Sequence, residues 1–158
     1  MPHPSADNSF HKGLAALKAG EVLEALAYFE AAVLRDRQIN PQRPTMRYLS
    51  FYGLALGLAT GRREEAIRLC KQAAGAEFYN PELLLNLGRV ALDAGDRRTA
   101  FDAFRQGLAL NDAHPELRVH IRRLGVRRRP LIGFLKRDHP VNRLAGQLRL
   151  RLRGAAAR

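Results

Sequence analysis

The sequence predicts an all-α fold, a solenoid of three helix-turn-helix repeats with a capping helix and a basic C-terminal tail, on three observations. The first is composition. Ala, Leu, Arg, Glu and Gln are plentiful, Ile and Val are scarce, and the 158 residues include seven Phe, four Tyr and no Trp. Unbranched side chains lose little rotamer freedom in a helix, whereas β-branched ones lose more. The second is an internal repeat, the feature to seek before any other. KAGEVLEALAYFEAAV around Gly20, ATGRREEAIRLCKQAA around Gly61 and DAGDRRTAFDAFRQGL around Gly95 superimpose at intervals of 41 and then 34 residues. The same two intervals relate Ala25, Ala66 and Ala100, then Phe29, Cys70 and Phe104, then Ala32, Ala73 and Gly107. The third is the placement of charge. The net charge is +12, and residues 118–158 hold 13 of the 27 Lys and Arg against the single acid Asp138. Residues 1–117 are therefore balanced, and the whole excess lies at the C-terminal end.

Each repeat reads as a helix, a tight turn and a second helix. Gly20, Gly61 and Gly95 end the first helix of each pair, where a residue without Cβ reaches the left-handed conformation at little cost. Ala25, Ala66 and Ala100 open the second helix and let its partner approach closely. Phe29, Cys70 and Phe104, four residues on, lie on the same face and fill the space between helices. Asn40-Pro41, Asn80-Pro81 and His114-Pro115 punctuate the units, since Pro fits the first turn of a new helix. The predicted helices span about 7–19, 22–37, 44–60, 63–76, 81–94, 97–110 and 115–124. The seventh covers the last repeat's apolar face, as a solenoid's end requires. Beyond it, Pro130 and Pro140 interrupt the pattern. Leu131–Leu135 is a short apolar plug, and from Val141 to Leu152 the spacing suits a basic amphipathic helix, while the alternation Leu148–Arg153 suits a strand equally well. The expected organisation is a helical repeat domain over 6–124 and a basic tail over 125–158.

On these residues the chain resembles the tetratricopeptide-repeat (TPR) family, whose unit is a 34-residue helix-turn-helix. The third unit matches best, with Leu87-Gly88, Gly95, Ala100 and Phe104 at the signature spacings. The first keeps Gly13, Gly20, Ala25, Phe29 and Ala32 but carries a seven-residue extension across Arg35–Thr45. The second keeps Ala66 and Ala73, has Cys70 for the usual aromatic residue, and offers either Gly53 or Leu54 at the small-residue position. The resemblance implies a TPR scaffold or adaptor that binds a protein or peptide partner on the concave face lined by the first helix of each pair. Projected onto this sequence, that groove is lined by Phe10, Leu14, Leu17 and Lys18, by Phe51, Ala55 and Leu58 or their neighbours one residue away, and by Glu82, Leu85, Arg89, Leu92 and Asp93. The expected surface is mainly apolar and suits an amphipathic helix or extended peptide. Family members that bind chaperones grip a terminal carboxylate with Lys and Asn, and here Phe10 and Leu14 stand at the first two of those positions.

Catalysis is not expected. No two of the five histidines stand at the i,i+4 spacing of zinc peptidases, Cys70 takes a core position of the repeat, and the glycines read as helix ends rather than a phosphate loop. No enzyme activity, cofactor or metal is predicted. The single Cys70 cannot form an internal disulfide, and no signal peptide or run of about 20 apolar residues is visible, so a cytoplasmic location is expected, peripheral to a membrane on one reading of the tail. That tail offers Arg127, Arg128, Arg129, Lys136, Arg137, Arg143, Arg149, Arg151 and Arg153 as contacts. Its partner is either an acidic protein, nucleic acid (an RNA- or ribosome-associated factor) or an anionic membrane surface. A homo-oligomer is a further option.

Overall fold

The computed structural model describes residues 4–124, and over them the chain forms seven helices: α1 Pro4–Ala19, α2 Val22–Ile39, α3 Met46–Thr60, α4 Arg63–Ala76, α5 Pro81–Asp93, α6 Arg97–Leu110 and α7 Pro115–Leu124. Each expected helix is present with its ends within three residues of prediction. These helices belong to one compact unit that ends at Leu124, and the tail over 125–158 lies outside the described residues. Within this unit each helix packs on its successor, and α3 also lies directly against α5. The odd-numbered helices thus form one layer and the even-numbered helices another.

Glycine ends three of the helices in the left-handed region, with φ of 85°, 69° and 80° at Gly20, Gly61 and Gly95. At α1 the Glu21 amide donates to the Ala16 carbonyl at 2.9 Å and the Gly20 amide to Leu17 at 3.2 Å; at α5 Asp96 donates to Ala91 at 2.8 Å and Gly95 to Leu92 at 3.0 Å. Both are Schellman closures. Helix α3 ends differently, on one bond from the Gly61 amide to the Gly57 carbonyl at 3.1 Å. At the opposite ends, Asn80 accepts from the Glu82 amide at 3.1 Å, ahead of Pro81, and Asp96 accepts from the Thr99 amide at 3.0 Å. Each satisfies a donor that a helix start leaves open.

Close helix approach requires glycine at two equivalent sites. A Cβ on Gly13 would stand 2.6 Å from the Phe29 ring, and one on Gly88 would stand 2.1 Å from Phe104. The second repeat settles in favour of Gly53, whose added Cβ would meet Cys70 Sγ at 3.0 Å and Leu69 Cβ at 3.1 Å. Its spacing to the terminal glycine is one residue longer than in the other two repeats. The single-bond ending at Gly61 absorbs that extra residue.

The core is continuous from α1 to α5, around Phe10, Phe29, Tyr48, Phe51, Leu54 and Leu83, with a second cluster of Leu85, Ala91, Ala100, Phe104 and Leu117 beneath α7. Helices α1 and α3 meet through an aromatic group. Phe10 lies 4.8 Å from the Tyr48 ring, 5.3 Å from Phe51 and 5.5 Å from Phe29. The seven-residue extension is tied down by Asp36, which is fully buried near the end of α2. Its carboxylate accepts from the Thr45 amide at 2.5 Å, from Thr45 Oγ1 at 3.0 Å and from Asn40 Nδ2 at 3.4 Å. A carboxylate so near a helix C-terminus opposes the dipole, and these three donors compensate it.

Candidate functional site

The layer of first helices is where the sequence places a groove, and the repeat register decides what faces it. With Gly13, Gly53 and Gly88 aligned, α1, α3, α5 and α7 contribute equivalent rows. The first row is Asp7, Arg47, Glu82 and Glu116. A second is His11, Phe51, Asn86 and His120. A third, deeper along each helix, is Leu14, Leu54, Arg89 and Arg123.

Four of the expected groove residues are interior instead. Phe10, Phe51, Ala55 and Leu85 are 0%, 6%, 0% and 5% exposed. The cause for the first two is Arg47. Its guanidinium lies 4.9 Å from the Phe10 ring centre and 5.9 Å from Phe51, while Nε and Nη2 donate to the Glu82 carboxylate at 2.7 and 3.3 Å. Arg47 thus spans α1, α3 and α5 and roofs the aromatic group. Leu85 turns into the second core cluster under α7. Leu14, Leu17, Arg89 and Leu92 are half-buried and Lys18 is exposed. Leu14 and Leu17 rest on the first core cluster and Leu92 on the second. Leu58, one residue further round than Gly57, is 43% exposed. The tail positions Arg127, Arg128, Arg129, Lys136, Arg137, Arg143, Arg149, Arg151 and Arg153 lie outside the described residues.

Polar groups on this layer are mostly engaged. Tyr48 donates its hydroxyl to Asp7 Oδ1 at 3.3 Å, and burial first, then the Asp7 charge, pushes the phenol up to about 12. Asn86 Nδ2 donates to Ser50 Oγ at 3.2 Å between α5 and α3, both residues fully buried. Arg63 Nε donates to Asp93 Oδ2 at 3.0 Å. The Cys70 thiol is buried and donates to the Ser50 carbonyl at 3.4 Å, and desolvation holds it at about 12. A thiol so placed carries no nucleophile at neutral pH. Among the described residues no three His, Cys, Asp or Glu gather as a metal site, and no helix is long and apolar enough to cross a membrane.

Sequence reasoning missed Arg47 and Asp36. Arg47 joins the groove row only once Gly53 sets the register of α3, and the family's projection began from the other register. Asp36 stood in the extension, where no repeat position assigns it a role.

Comparison with solved structures agrees with this architecture. The chain is similar to the TPR domain of Arabidopsis OM64, with 21% identity, a TM-score of 0.60, and coverage of 76% of this chain and 93% of that one. It is similar to the Sgt2 TPR domain from Aspergillus fumigatus at 22% identity and a TM-score of 0.63, over 78% of each chain. The fold is that of a TPR domain. A third likeness is to PcrH in complex with the chaperone binding region of PopB, at 21% identity and a TM-score of 0.56, over 79% of this chain and 95% of that one. No protein-family model and no curated protein matches the chain. At such identities the likeness to TPR domains concerns the fold alone. The side chains on the inner layer are this chain's own.

Proposed function

We propose that this TPR domain is a non-catalytic scaffold or adaptor that binds a protein or peptide segment along its inner layer of first helices. The observation that carries the reading is the row of half-open apolar side chains, Leu14, Leu17, Leu58 and Leu92, running past a rigid floor roofed by Arg47. Apolar side chains held half-exposed on a packed scaffold suit an amphipathic helix, whose anchors recur at i, i+3 and i+4. Lys18 and Arg89 on the same layer supply orientation. PcrH, a TPR-like neighbour in fold, was solved with a segment of PopB, which supports a peptide as the occupant here.

The test is recovery of partners from native extract with the full chain and two double variants. Lys18→Glu with Leu58→Glu alters the inner layer, and Gln72→Glu with Gln106→Glu alters exposed positions of α4 and α6. Loss of bound proteins in the first pair alone supports the reading. Equal recovery by both pairs rejects it.

A second reading rests on the separation of charge, with 13 Lys and Arg against one acid over residues 118–158. We propose the tail as a second contact surface for an acidic protein, nucleic acid or anionic membrane. Contacting six phosphates would lower affinity roughly a thousandfold between 50 and 200 mM salt. Competition between RNA and anionic liposomes for the bound chain separates the two polyanions.

A further inference from the structure

The first helix pair differs from the other two along one side of α1. With the repeats aligned on Gly13, Gly53 and Gly88, α3 places Tyr48, Leu49 and Tyr52 in or against the core, and α5 does the same with Leu83, Leu84 and Leu87. At those three positions α1 carries Asn8, Ser9 and Lys12. With Ser5 they form a polar stripe at helical spacing, and Tyr28 and Arg35 of α2 stand across from it. These residues line a cleft of about 480 Å³ between α1 and α2.

The cleft is held in shape, and it is positive. Ser9 Oγ, on a buried residue, donates to the Ser5 carbonyl at 3.1 Å and accepts from Arg35 Nη1. Lys12 Nζ stands 5.9 Å from the centre of the Tyr28 ring, within reach of cation–π attraction. The Glu24 carboxylate is engaged by the Tyr28 phenol, whose pKa it raises. Among the described residues neither Lys12 nor Arg35 lies within ion-pair distance of a carboxylate. No acid lines this cleft. A second cleft, beside Leu23 and Leu58, carries Glu21 and Glu24, and a third sets Glu64 and Glu65 beside Arg62 and Arg63. A helix side that merely faces water takes both signs of charge, as residues 1–117 do as a whole. Two cations facing one cleft without an acid create a local field that draws an anion.

We propose that Asn8, Ser9, Lys12 and Arg35 form a binding site for a phosphate monoester. Such a group carries about two negative charges at neutral pH and three strong acceptor oxygens. The guanidinium offers it paired donors and the ammonium a point charge, while the Asn8 amide adds a neutral donor. Ser9, which holds Arg35, is one turn from Lys12, so the two cations are anchored about 5 Å apart along α1. A carboxylate would be served by the Arg35 fork alone and would leave Lys12 uncompensated. The same chemistry serves a free phosphate ester and a phosphoserine side chain. The site lies on the side of α1 opposite Asp7 and Leu14 and is independent of any peptide on the inner layer.

The test is an NMR titration of the isotope-labelled full-length protein with inorganic phosphate and, separately, with acetyl-phosphoserine amide. Sodium chloride at matched ionic strength is the control. Saturable shifts at the amides of Asn8, Ser9, Lys12 and Arg35 are expected with the phosphates and not with chloride. Lys12 and Arg35 are exposed, so Lys12→Gln and Arg35→Gln leave the core intact, and each should weaken binding about tenfold. Arg37→Gln makes the same change of charge at another exposed position of α2 and should weaken it less than about twofold. Tighter binding of the phosphoserine compound supports the site with a phosphorylated side chain as its ligand, and equal binding supports it with a free phosphate ester. Equal losses from Arg35→Gln and Arg37→Gln overturn the proposal, as do shifts confined to residues beyond 124.

Discussion

Single side chains carry sharply different loads in this fold, and glycine shows it best. Gly88→Ala drives a methyl to 2.1 Å from a ring carbon of the fully buried Phe104, and overpacking of this kind costs about 1–3 kcal/mol. Gly75, exposed in α4 with nothing within 4 Å of an added Cβ, is a helical glycine of the ordinary kind, so Gly75→Ala stabilises by about 0.5–1 kcal/mol. Urea unfolding of the two variants gives opposite signs of change. A shared sign would contradict the packing described. Cys70 provides a second residue-scale check. Its thiol, held at about 12 by burial, stays unreactive toward Ellman's reagent at pH 8 in the folded protein and reacts at once in denaturant. Rapid reaction in native buffer would mean that the α3–α4 contact opens readily. Asp36→Ala strands the Thr45 amide and untethers the extension, which is expected to cost about 1–3 kcal/mol, measured by the same unfolding curves.

At the scale of elements, the helices were legible from the sequence because glycine, proline and the two repeat intervals mark every boundary. The exposed side of the groove was not legible to the same degree. Periodicity reports which face of a helix is apolar, yet core and contact surface are both apolar, so Phe10 and Leu14 looked alike. What separates them is Arg47, and its place in the first row follows from the offset that makes Gly53, not Leu54, the small-residue position of α3. That offset was visible only as an ambiguity between Gly53 and Leu54. Charged elements add pH dependence. The Asp96 carboxyl is lowered by the Thr99 hydroxyl and amide, so its contribution to α6 is complete above the ordinary carboxylate range and is lost as pH falls through its depressed value. His120 is lowered as well. Its folded form prefers the neutral ring, so the docking of α7 is strongest above about 6.5 and weakens as pH falls below that value. Protection of the α7 amides, taken relative to the intrinsic base-catalysed exchange rate at each pH, should therefore fall between pH 7 and 5.5, and His120→Gln should flatten that dependence. An unchanged slope in His120→Gln would remove the imidazole from the account.

The whole molecule combines a helical-repeat domain, balanced in charge as far as residue 117, with a basic C-terminal end. In the repeat domain four polar pairs fix the inner layer: Arg47 with Glu82, Asp93 with Arg63 of α4, Tyr48 with Asp7, and Asn86 with Ser50. Such a layer is preorganised, and a segment that docks on it meets little reordering of the scaffold, which favours affinity. The most direct measurement places a photo-activated benzophenone side chain at Leu58 on the inner layer and, separately, at Gln72 on α4, in the full-length chain with its partners present. The account predicts protein cross-links from position 58 that position 72 does not give. Cross-links from position 72 alone, or equally from both, would contradict the inner layer as the binding surface.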